Sequence, residues 1–507
     1  MSASKEKQKR KQLREEGQDK RLIAEQERLK KERRYKRISR IVAAIVVVLL
    51  VITILLNSNL FYTVMPAVTI GGESYTTAEF NYFYFTNYYN FVESNRDYIN
   101  LIFDTSKPFS SQKYSEDMTW EDYFKQATIE NLRELTMLCQ KAEEAGYTLS
   151  QEQKDEIANN LSSLDNVYVL YGYPSLKQYL AAVYGRGCTA ETVEKMMTKS
   201  YIANGYSQQV LGSFTYTPEE LENYYQENRD TYDVINYRYF FVSGAADEEA
   251  GIDSVTAMAE AKKAADAIAA ESAGDEEAFA RLVYEHAVED EKENYRDKDS
   301  TLMSARGSYL SSEYSEWLLS DERVYGETTA IEGSSGCHVL MFISREDNHY
   351  KLAQVRHILI KAEADENGEY TDEAKAEALK KAEEILAEWK AGEATEESFA
   401  ELAKEYSEDD GSKDNGGLYD TVYKGQMVEE FDAFCFEEGR KPGDTAIVYG
   451  ESAAYAGYHV MYYVGEGQLY SDYIAENLLR SNDYNEWKNA QLESYVADTK
   501  FALLFAM

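Results

Sequence analysis

The most continuous apolar stretch of the chain lies near its N-terminus. Residues 41–56 (IVAAIVVVLLVITILL) form a run of 16 in which only Thr53 is polar. With Ile38 on one side and residues 60–64 on the other, the run reaches the ~20 residues that a helix needs to cross the hydrocarbon core of a bilayer. The pattern therefore predicts a single transmembrane helix, which we assign to residues 41–60.

The charges on either side of this run predict its orientation. KKERRYKRISR precedes the run, and the uncharged segment NSNLFYTVMP follows it. Because basic residues remain on the cytoplasmic side, we predict a basic cytoplasmic tail over residues 1–40 and a single-pass protein of the cell membrane whose bulk is extracytoplasmic. A cleaved signal peptide is the main alternative, but the charged preamble is long for one and no small-residue cleavage site follows Leu56.

Beyond the apolar run, aromatic and apolar positions recur with helical spacing. In FNYFYFTNYYNF, which begins at Phe80, aromatic residues occupy nearly every face, as in a helix buried among other helices. Thr76 and Glu79 have the spacing of a capping box, which begins a helix. The helical pattern continues as far as TPEELENYYQENRDTY. Residues 66–230 are therefore predicted to form a helical N-terminal domain.

Two blocks of similar length then repeat the same segments. YRYFFV (237–242) is matched by VRHILI (355–360), AFARLVYEHAVED by SFAELAKEYSED, and GCHVLMFI by GYHVMYYV. Each block has the pattern of a strand, an Ala/Glu-rich helix, a short helix, a loop and a final strand, which is typical of an α+β domain. We place these domains at 233–347 and 353–467, and a helical segment at 468–507. For the first block, an unrelated α+β domain is the alternative.

Charge and cysteine content narrow the possible functions. The net charge of −38 arises after the first 40 residues, which are themselves basic. So acidic a body repels the phosphate backbone and excludes nucleic acid as a partner. The four cysteines lack the spacing of a metal site or a disulfide framework, and we expect no disulfide. The Asp/Glu runs lack the ligand spacing of a calcium loop.

Four motifs in the last α+β block carry the candidate chemistry. In chain order they are VRHILIK, FAELAKEYSEDDGSKDNGGLY, GQMVEEFDAFCF and GYHVMYYV, and they contain two of the five histidines of the chain. Their order and spacing resemble the parvulin family of peptidyl-prolyl cis–trans isomerases, and the layout of the chain resembles membrane-anchored foldases of the PrsA/SurA type.

This resemblance implies an α+β fold with several parts. They are a single N-terminal transmembrane helix, a helical chaperone-like domain, two tandem parvulin-like domains of which the first is degenerate, and a C-terminal helix that packs on the N-terminal domain.

The resemblance also implies roles for individual residues. The active-site residues that it implies are His357, Asp409 and His459. The residues that it implies around the proline ring of the substrate are Met427, Phe431, Gln426 and Tyr419. The chain departs from the family pattern at Ala456, where a small hydroxyl residue is common, and in the Gly-Gly-Leu-Tyr sequence of residues 416–419. It also lacks a basic loop after the first strand, so a preference for phosphorylated substrates is not expected.

The chemistry of prolyl isomerisation agrees with this set of side chains. Rotation about an X–Pro bond breaks amide resonance across a barrier of ~20 kcal/mol, and no bond is cleaved. We therefore expect neither a cofactor nor a metal, and a site that binds the twisted amide more tightly than the planar one. The first block has Tyr239 at the position of His357, keeps His338 and lacks the GQM segment. We predict that it is catalytically silent and serves as a spacer or a substrate-binding surface.

The sequence thus predicts a peptidyl-prolyl cis–trans isomerase and folding chaperone for translocated extracytoplasmic proteins. Its partners would be unfolded or nascent secreted polypeptides with X–Pro bonds, and the membrane through one helix, while homodimerisation is left open. The alternative is a catalytically inactive, membrane-tethered chaperone or scaffold built on parvulin folds.

Overall fold

The computed structural model describes residues 3–17, 20–246, 251–366 and 368–506. The helices of this part of the chain are α1 Ala3–Glu15, α2 Lys20–Asn57, α3 Asn59–Val64, α4 Thr77–Ser94, α5 Ile99–Ile102, α6 Trp120–Glu144, α7 Gln151–Leu170, α8 Leu176–Val183, α9 Ala190–Ser213, α10 Pro218–Tyr232, α11 Ser254–Ser272, α12 Glu276–His286, α13 Ser315–Leu319, α14 Asp372–Ala391, α15 Glu396–Tyr406, α16 Glu429–Phe436 and α17 Tyr470–Leu492. Its strands are β1 Pro66–Ile70, β2 Glu73–Thr76, β3 Val234–Ser243, β4 Leu302–Arg306, β5 Thr328–Glu332, β6 Gly336–Glu346, β7 Lys351–Lys361, β8 Leu418–Val422, β9 Thr445–Ser452, β10 Tyr455–Leu469 and β11 Ala497–Thr499.

The chain divides into two compact units. The N-terminal unit combines Met1–Phe214 with Asp483–Met507, and the sheet unit is Thr215–Asn482. In the N-terminal unit, β1 lies between β2 and β11 in a three-stranded antiparallel sheet. Residues 468–507 were predicted to be helical. The structure differs near the end of this segment, where β11 pairs with β1.

Helix α4 forms much of the core of the N-terminal unit. Its predicted capping box is confirmed, because Thr76 Oγ1 accepts the N–H of Glu79 at 3.3 Å and the Glu79 carboxylate accepts the N–H of Thr76 at 2.8 Å. Phe80 and Tyr84 are fully buried and pack in one core with Phe124 of α6. The aromatic residues that surround α4 on nearly every face thus pack against the neighbouring helices.

The prediction of a transmembrane helix is wrong. Among the residues that the structure describes, no helix is long and apolar enough to cross a membrane. The prediction extended the apolar run into residues 60–64, but α2 ends at Asn57 and Ser58 has an extended backbone (φ −91°, ψ 146°). Residues 60–64 belong instead to the separate helix α3, whose Tyr62 is buried in the protein.

The apolar run is therefore shorter than the ~20 residues that a span requires. The predicted single-pass anchor in the cell membrane is wrong for the same reason.

The sheet unit contains two antiparallel four-stranded sheets of the same topology. The first sheet domain, residues 234–346, has the strand order β4-β3-β6-β5, and the second sheet domain, residues 351–469, has the order β8-β7-β10-β9. Helices α11 and α12 pack on the first sheet, and α14 and α15 pack on the second. In both domains the chain runs from a central strand (β3 or β7) through two helices to an edge strand (β4 or β8).

A matching ion pair holds the first strand of each sheet to the second helix. The Nε atom of Arg238 donates to Glu276 at 2.8 Å, and that of Arg356 donates to Glu396 at 2.9 Å. Each guanidinium also donates to a backbone carbonyl of the loop that leads to the edge strand. The two domains therefore share a framework in which helix, loop and strand are fixed by one arginine.

Candidate active site

Two histidines lie side by side on the central strands of the second sheet domain. In the antiparallel register of β7 and β10, His357 pairs with Met461 and His459 pairs with Leu359. The histidines are thus diagonal cross-strand neighbours on one face of the sheet. Their Nδ1 atoms are 3.0 Å apart and their ring planes are inclined by 27°. Both side chains are buried, with exposed fractions of 3% and 4%.

A carboxylate lies beside Nε2 of His357, the ring nitrogen that does not contact His459. Asp409, in the loop after α15, has its Oδ2 atom 2.9 Å from Nε2 of His357. The same oxygen accepts hydrogen bonds from the hydroxyl of Ser412 at 2.5 Å and from the phenol of Tyr419 at 3.0 Å. The hydrogen bond from His357, with those from Ser412 and Tyr419, lowers the pKa of Asp409 far below its usual value although burial opposes the shift. This carboxyl group is therefore ionised at neutral pH.

The loop that carries Asp409 returns to the sheet through a glycine that no other residue could replace without strain. Gly417 has a left-handed backbone (φ 73°), and its carbonyl accepts the N–H of His357 at 2.9 Å. A Cβ atom at this position would lie 2.1 Å from the carbonyl oxygen of His357. The close approach positions β8 beside β7, where Tyr419 pairs with Val355.

The second histidine is electrostatically different from the first. Burial, with a smaller contribution from the neighbouring His357, lowers the pKa of His459 to about 3, so the imidazole of His459 is neutral at physiological pH. Its Nε2 atom is 2.9 Å from the phenol oxygen of Tyr455. A continuous line of hydrogen bonds thus runs from Tyr455 through both histidines to Asp409.

Apolar side chains of α16 and the turn before it lie against the histidine pair. Phe431, with an exposed fraction of 2%, has its ring centre 5.4 Å from that of His357 and 5.3 Å from that of His459, nearly perpendicular to the latter. The half-buried Met427 and Tyr419 pack on the same cluster as Phe431. We call these three side chains the apolar surface; Met427 and Tyr419 are its partly exposed members, and it lies beside the buried polar network.

The structure brings six of the seven predicted site residues together, namely His357, Asp409, His459, Tyr419, Phe431 and Met427. The seventh, Gln426, is exposed, and its side-chain oxygen accepts the N–H of Tyr423 at 3.0 Å. This hydrogen bond lies within the turn before α16.

Sequence reasoning missed two members of the network, Ser412 and Tyr455. Ser412 follows Asp409 by three residues, a spacing typical of a turn in which a hydroxyl returns to the carboxylate. Tyr455 precedes His459 by four residues, and even spacing in a strand places both on one face. Both signals were present in the sequence, because each depends only on local spacing.

The first sheet domain has a different set of groups at the equivalent position. Tyr239 and His338 have the same diagonal relation as the two histidines, and the Tyr239 hydroxyl is 3.1 Å from Nδ1 of His338. Nε2 of His338 lies 2.7 Å from the carboxylate of Glu313, which also accepts the N–H of Ser334 at 3.0 Å. The hydrogen bonds from Ser334 and His338 lower the pKa of Glu313. A carboxylate therefore lies where the second domain has the phenol of Tyr455.

Comparison with protein families identifies the second sheet domain. Residues 337–462 match the family described as the PPIC-type PPIase domain. The second sheet domain, which this match covers as far as Tyr462, is thus similar to that family and is named the PPIase domain after it. The two histidines, Asp409 and Phe431 all lie within the matched residues of this PPIase domain.

Curated relatives are similar over segments of the chain of about the length of the PPIase domain. Chaperone SurA of Hahella chejuensis is 39% identical over 116 residues, which are 22% of this chain and 24% of that protein. Foldase protein PrsA 4 of Bacillus cereus is 40% identical over 96 residues, which are 18% of this chain and 27% of that protein. The chain thus spans about a quarter of the length of these relatives.

Solved structures of PrsA proteins are also similar. PrsA from Bacillus subtilis is 15% identical with a TM-score of 0.27, and the match covers 79% of this chain and 92% of that one. The peptidylprolyl isomerase PrsA from Bacillus anthracis is 26% identical with a TM-score of 0.18, and the match covers 29% of this chain and 59% of that one.

Proposed function

We propose that the chain is a peptidyl-prolyl cis–trans isomerase that also acts as a folding chaperone for unfolded polypeptides with X–Pro bonds. The observation that carries the proposal is the buried His357–His459 pair, with its carboxylate and its apolar surface, within a PPIC-type PPIase domain. His357, Asp409 and His459 are the proposed catalytic residues.

The apolar surface provides the proposed binding site for the proline ring. Phe431 and Met427 pack beside the histidine pair, so a pyrrolidine ring against them would leave water. Burial of such a ring contributes roughly 1.5–3 kcal/mol. Because the ring is held while the preceding residue remains outside, the X–Pro bond becomes the axis about which the substrate can turn.

The polar network favours the twisted amide over the planar one. Resonance in a planar amide places negative charge on the carbonyl oxygen, and twisting the bond removes that charge. The ionised Asp409 brings negative charge to the site, and the neutral His459 does not offset it. A carbonyl oxygen beside such a site loses less by twisting, which is differential stabilisation of the transition state. No bond of the substrate breaks, so every proton of the network remains on its own atom at the end of the reaction.

The first sheet domain is proposed to lack this activity. Tyr239 replaces the first histidine, and Glu313 is hydrogen-bonded to Nε2 of His338. The domain keeps the arginine–glutamate pair of the framework, with Arg238 and Glu276 at the positions that Arg356 and Glu396 occupy in the PPIase domain. We propose that it acts as a spacer or a substrate-binding surface.

The chaperone role is proposed for the N-terminal unit. Residues 483–507 belong to the same compact unit as residues before 215. The predicted helical domain 66–230 and the predicted C-terminal segment 468–507 thus contribute to one unit, although α10 and the start of α17 lie in the sheet unit. The relatives named chaperone and foldase support an activity on unfolded proteins.

A matched pair of histidine variants tests the proposal in the full chain. The interconversion of an unphosphorylated X–Pro tetrapeptide is followed by exchange NMR spectroscopy, which needs no protease. We expect His357→Gln to lower kcat/KM at least tenfold, because it removes the group that links Asp409 to His459. His338→Gln makes the same change at the equivalent position of the first sheet domain and should leave kcat/KM unchanged.

Suppression of aggregation, measured by light scattering with an unfolded protein, separates the two proposed activities. We expect His357→Gln to retain full suppression. If the folded wild-type chain suppresses aggregation but does not accelerate isomerisation for any residue before proline, the isomerase proposal is refuted. The chain is then a catalytically inactive chaperone built on two parvulin-like domains.

A further inference from the structure

The hydroxyl of Tyr455 is hydrogen-bonded to His459, and neither sequence neighbour of Tyr455 could form such a bond. Ala454 and Ala456 flank Tyr455 and have no hydroxyl group. The phenol of Tyr455 reaches Nε2 of His459 at 2.9 Å from the same strand. Gly450, on the adjacent strand β9, leaves room at this nitrogen, because a Cβ atom there would lie 2.7 Å from it. The geometry thus places one hydroxyl group on the buried outer edge of His459.

The protons of the network can be assigned from its ends. Asp409 is ionised and accepts, so Nε2 of His357 carries a proton. Nδ1 of His357 and Nδ1 of His459 are 3.0 Å apart, and one of them must donate because two facing lone pairs repel. When His357 is a neutral imidazole, its single proton is the one on Nε2, so its Nδ1 accepts and Nδ1 of His459 donates. Nε2 of His459 is then an acceptor that requires a donor.

Tyr455 is suited to be that donor. Burial raises the pKa of its phenol, so the hydroxyl group keeps its proton at neutral pH. His459 has an exposed fraction of 4%, so solvent is a poor substitute for the phenol. An unsatisfied nitrogen in such a place is costly, and the imidazole would lower that cost by moving its proton to Nε2. That proton shift would leave two lone pairs facing each other between the histidines.

We propose that Tyr455 is a positioning residue that fixes His459 as its Nδ1–H tautomer and thereby orients His357 towards Asp409. The proposal rests on the proposed isomerase function for its kinetic consequence, but the tautomer itself is independent of turnover. The first sheet domain provides an internal contrast. There the ionised Glu313 accepts from Nε2 of His338, so His338 should be the Nε2–H tautomer.

The tautomers are measured in the full chain labelled with 15N-histidine, by long-range 1H–15N correlation NMR spectroscopy. The chain has five histidines, and single His→Gln variants assign their signals. We expect the Nδ1–H form for His459 and the Nε2–H form for His338. In Tyr455→Phe, the His459 signals should change to the Nε2–H form or to a mixture of both forms.

Kinetics on the same variant provide a second readout. We expect Tyr455→Phe to lower kcat about three- to tenfold, the effect of one neutral hydrogen bond, with KM nearly unchanged because the apolar surface is intact. Tyr458→Phe removes a hydroxyl from the opposite face of β10 and should change neither the tautomer nor kcat. An Nε2–H form of His459 in the wild type, or an unchanged His459 tautomer in Tyr455→Phe, would overturn the proposal. Absence of turnover in the wild type refutes only the isomerase function, because the NMR result still decides the role of Tyr455.

Discussion

Lowering the pH from 7 to 5 should destabilise the PPIase domain through His459. Burial lowers the pKa of this histidine to about 3 in the folded protein, whereas the unfolded chain has a histidine pKa of about 6.5. Between these two values the unfolded state binds more protons than the folded state. The free energy of unfolding therefore falls as the pH falls below about 6.5.

The magnitude follows from the same two values. Each pH unit below about 6.5 costs about 1.4 kcal/mol, so the step from pH 7 to pH 5 should cost about 2 kcal/mol. Asp409 contributes little over this range. Its pKa is lowered in the folded state, so its contribution is lost only as the pH falls below the unfolded value of about 3.9. Of these two groups, His459 should thus dominate the acid response above pH 5.

Urea unfolding at pH 7 and pH 5 measures this response. Trp389 is a local probe, because it packs on Phe399 and Tyr462 in the core of the PPIase domain. The remaining tryptophans are replaced by phenylalanine to leave a single signal; they are Trp120, Trp317 and Trp487. His459→Gln is made in the same background, and the difference between the two proteins cancels the response of all other groups.

The expected result is a fall of about 2 kcal/mol in the free energy of unfolding that His459→Gln does not show. A difference between the two proteins of less than about 0.5 kcal/mol over this range would refute the reasoning. It would mean that His459 binds a proton in the folded protein nearly as readily as in the unfolded chain, so that its imidazole is not held neutral by burial.

Two further changes test the geometry of the loop and the charge of the site. Gly417→Ala should lower the free energy of unfolding by more than about 3 kcal/mol, because the new Cβ atom would clash with the carbonyl oxygen of His357. The control Gly425→Ala has a similar φ but open space around the new Cβ atom, and it should cost about 1 kcal/mol. Equal losses of the two variants in urea unfolding would contradict the close approach at Gly417. Asp409→Asn keeps the shape of the side chain but removes its charge. We therefore expect kcat for the X–Pro peptide to fall about tenfold or more, with KM nearly unchanged. A change in KM alone would instead indicate a role in substrate binding.

Much of the site was predictable because its residues lie in motifs with fixed order. The sequence motifs were sufficient to select His357, Asp409 and His459. Only the register of β7 and β10 shows that the two histidines are diagonal neighbours. Sequence spacing does not determine which strands pair. Tyr455 was not predicted, because the family pattern has a hydroxyl at the position of Ala456, whereas here the longer side chain of the preceding residue provides the hydrogen bond.

Residue patterns do not show where a helix is interrupted, and both wrong assignments arose at such an interruption. The apolar run was joined to residues 60–64, but the extended backbone of Ser58 separates two helices there. The last segment was treated as helical, yet Ala497–Thr499 pair with β1. In both cases a few residues whose backbone is set by tertiary contacts change the assignment of a much longer stretch. Local propensity is too weak to predict such breaks.

The pairing of β1 with β11 has a consequence for biosynthesis. Val68 in β1 pairs with Thr499, which is made about 430 residues later. At 5–20 residues per second the ribosome needs roughly 20–90 s to add this length. During that time β1 has β2 on one side and an open edge on the other, while the whole sequence of the sheet unit is synthesised. The unit whose synthesis begins first is therefore the last to have its complete sequence, and its three-stranded sheet can close only at the end of synthesis.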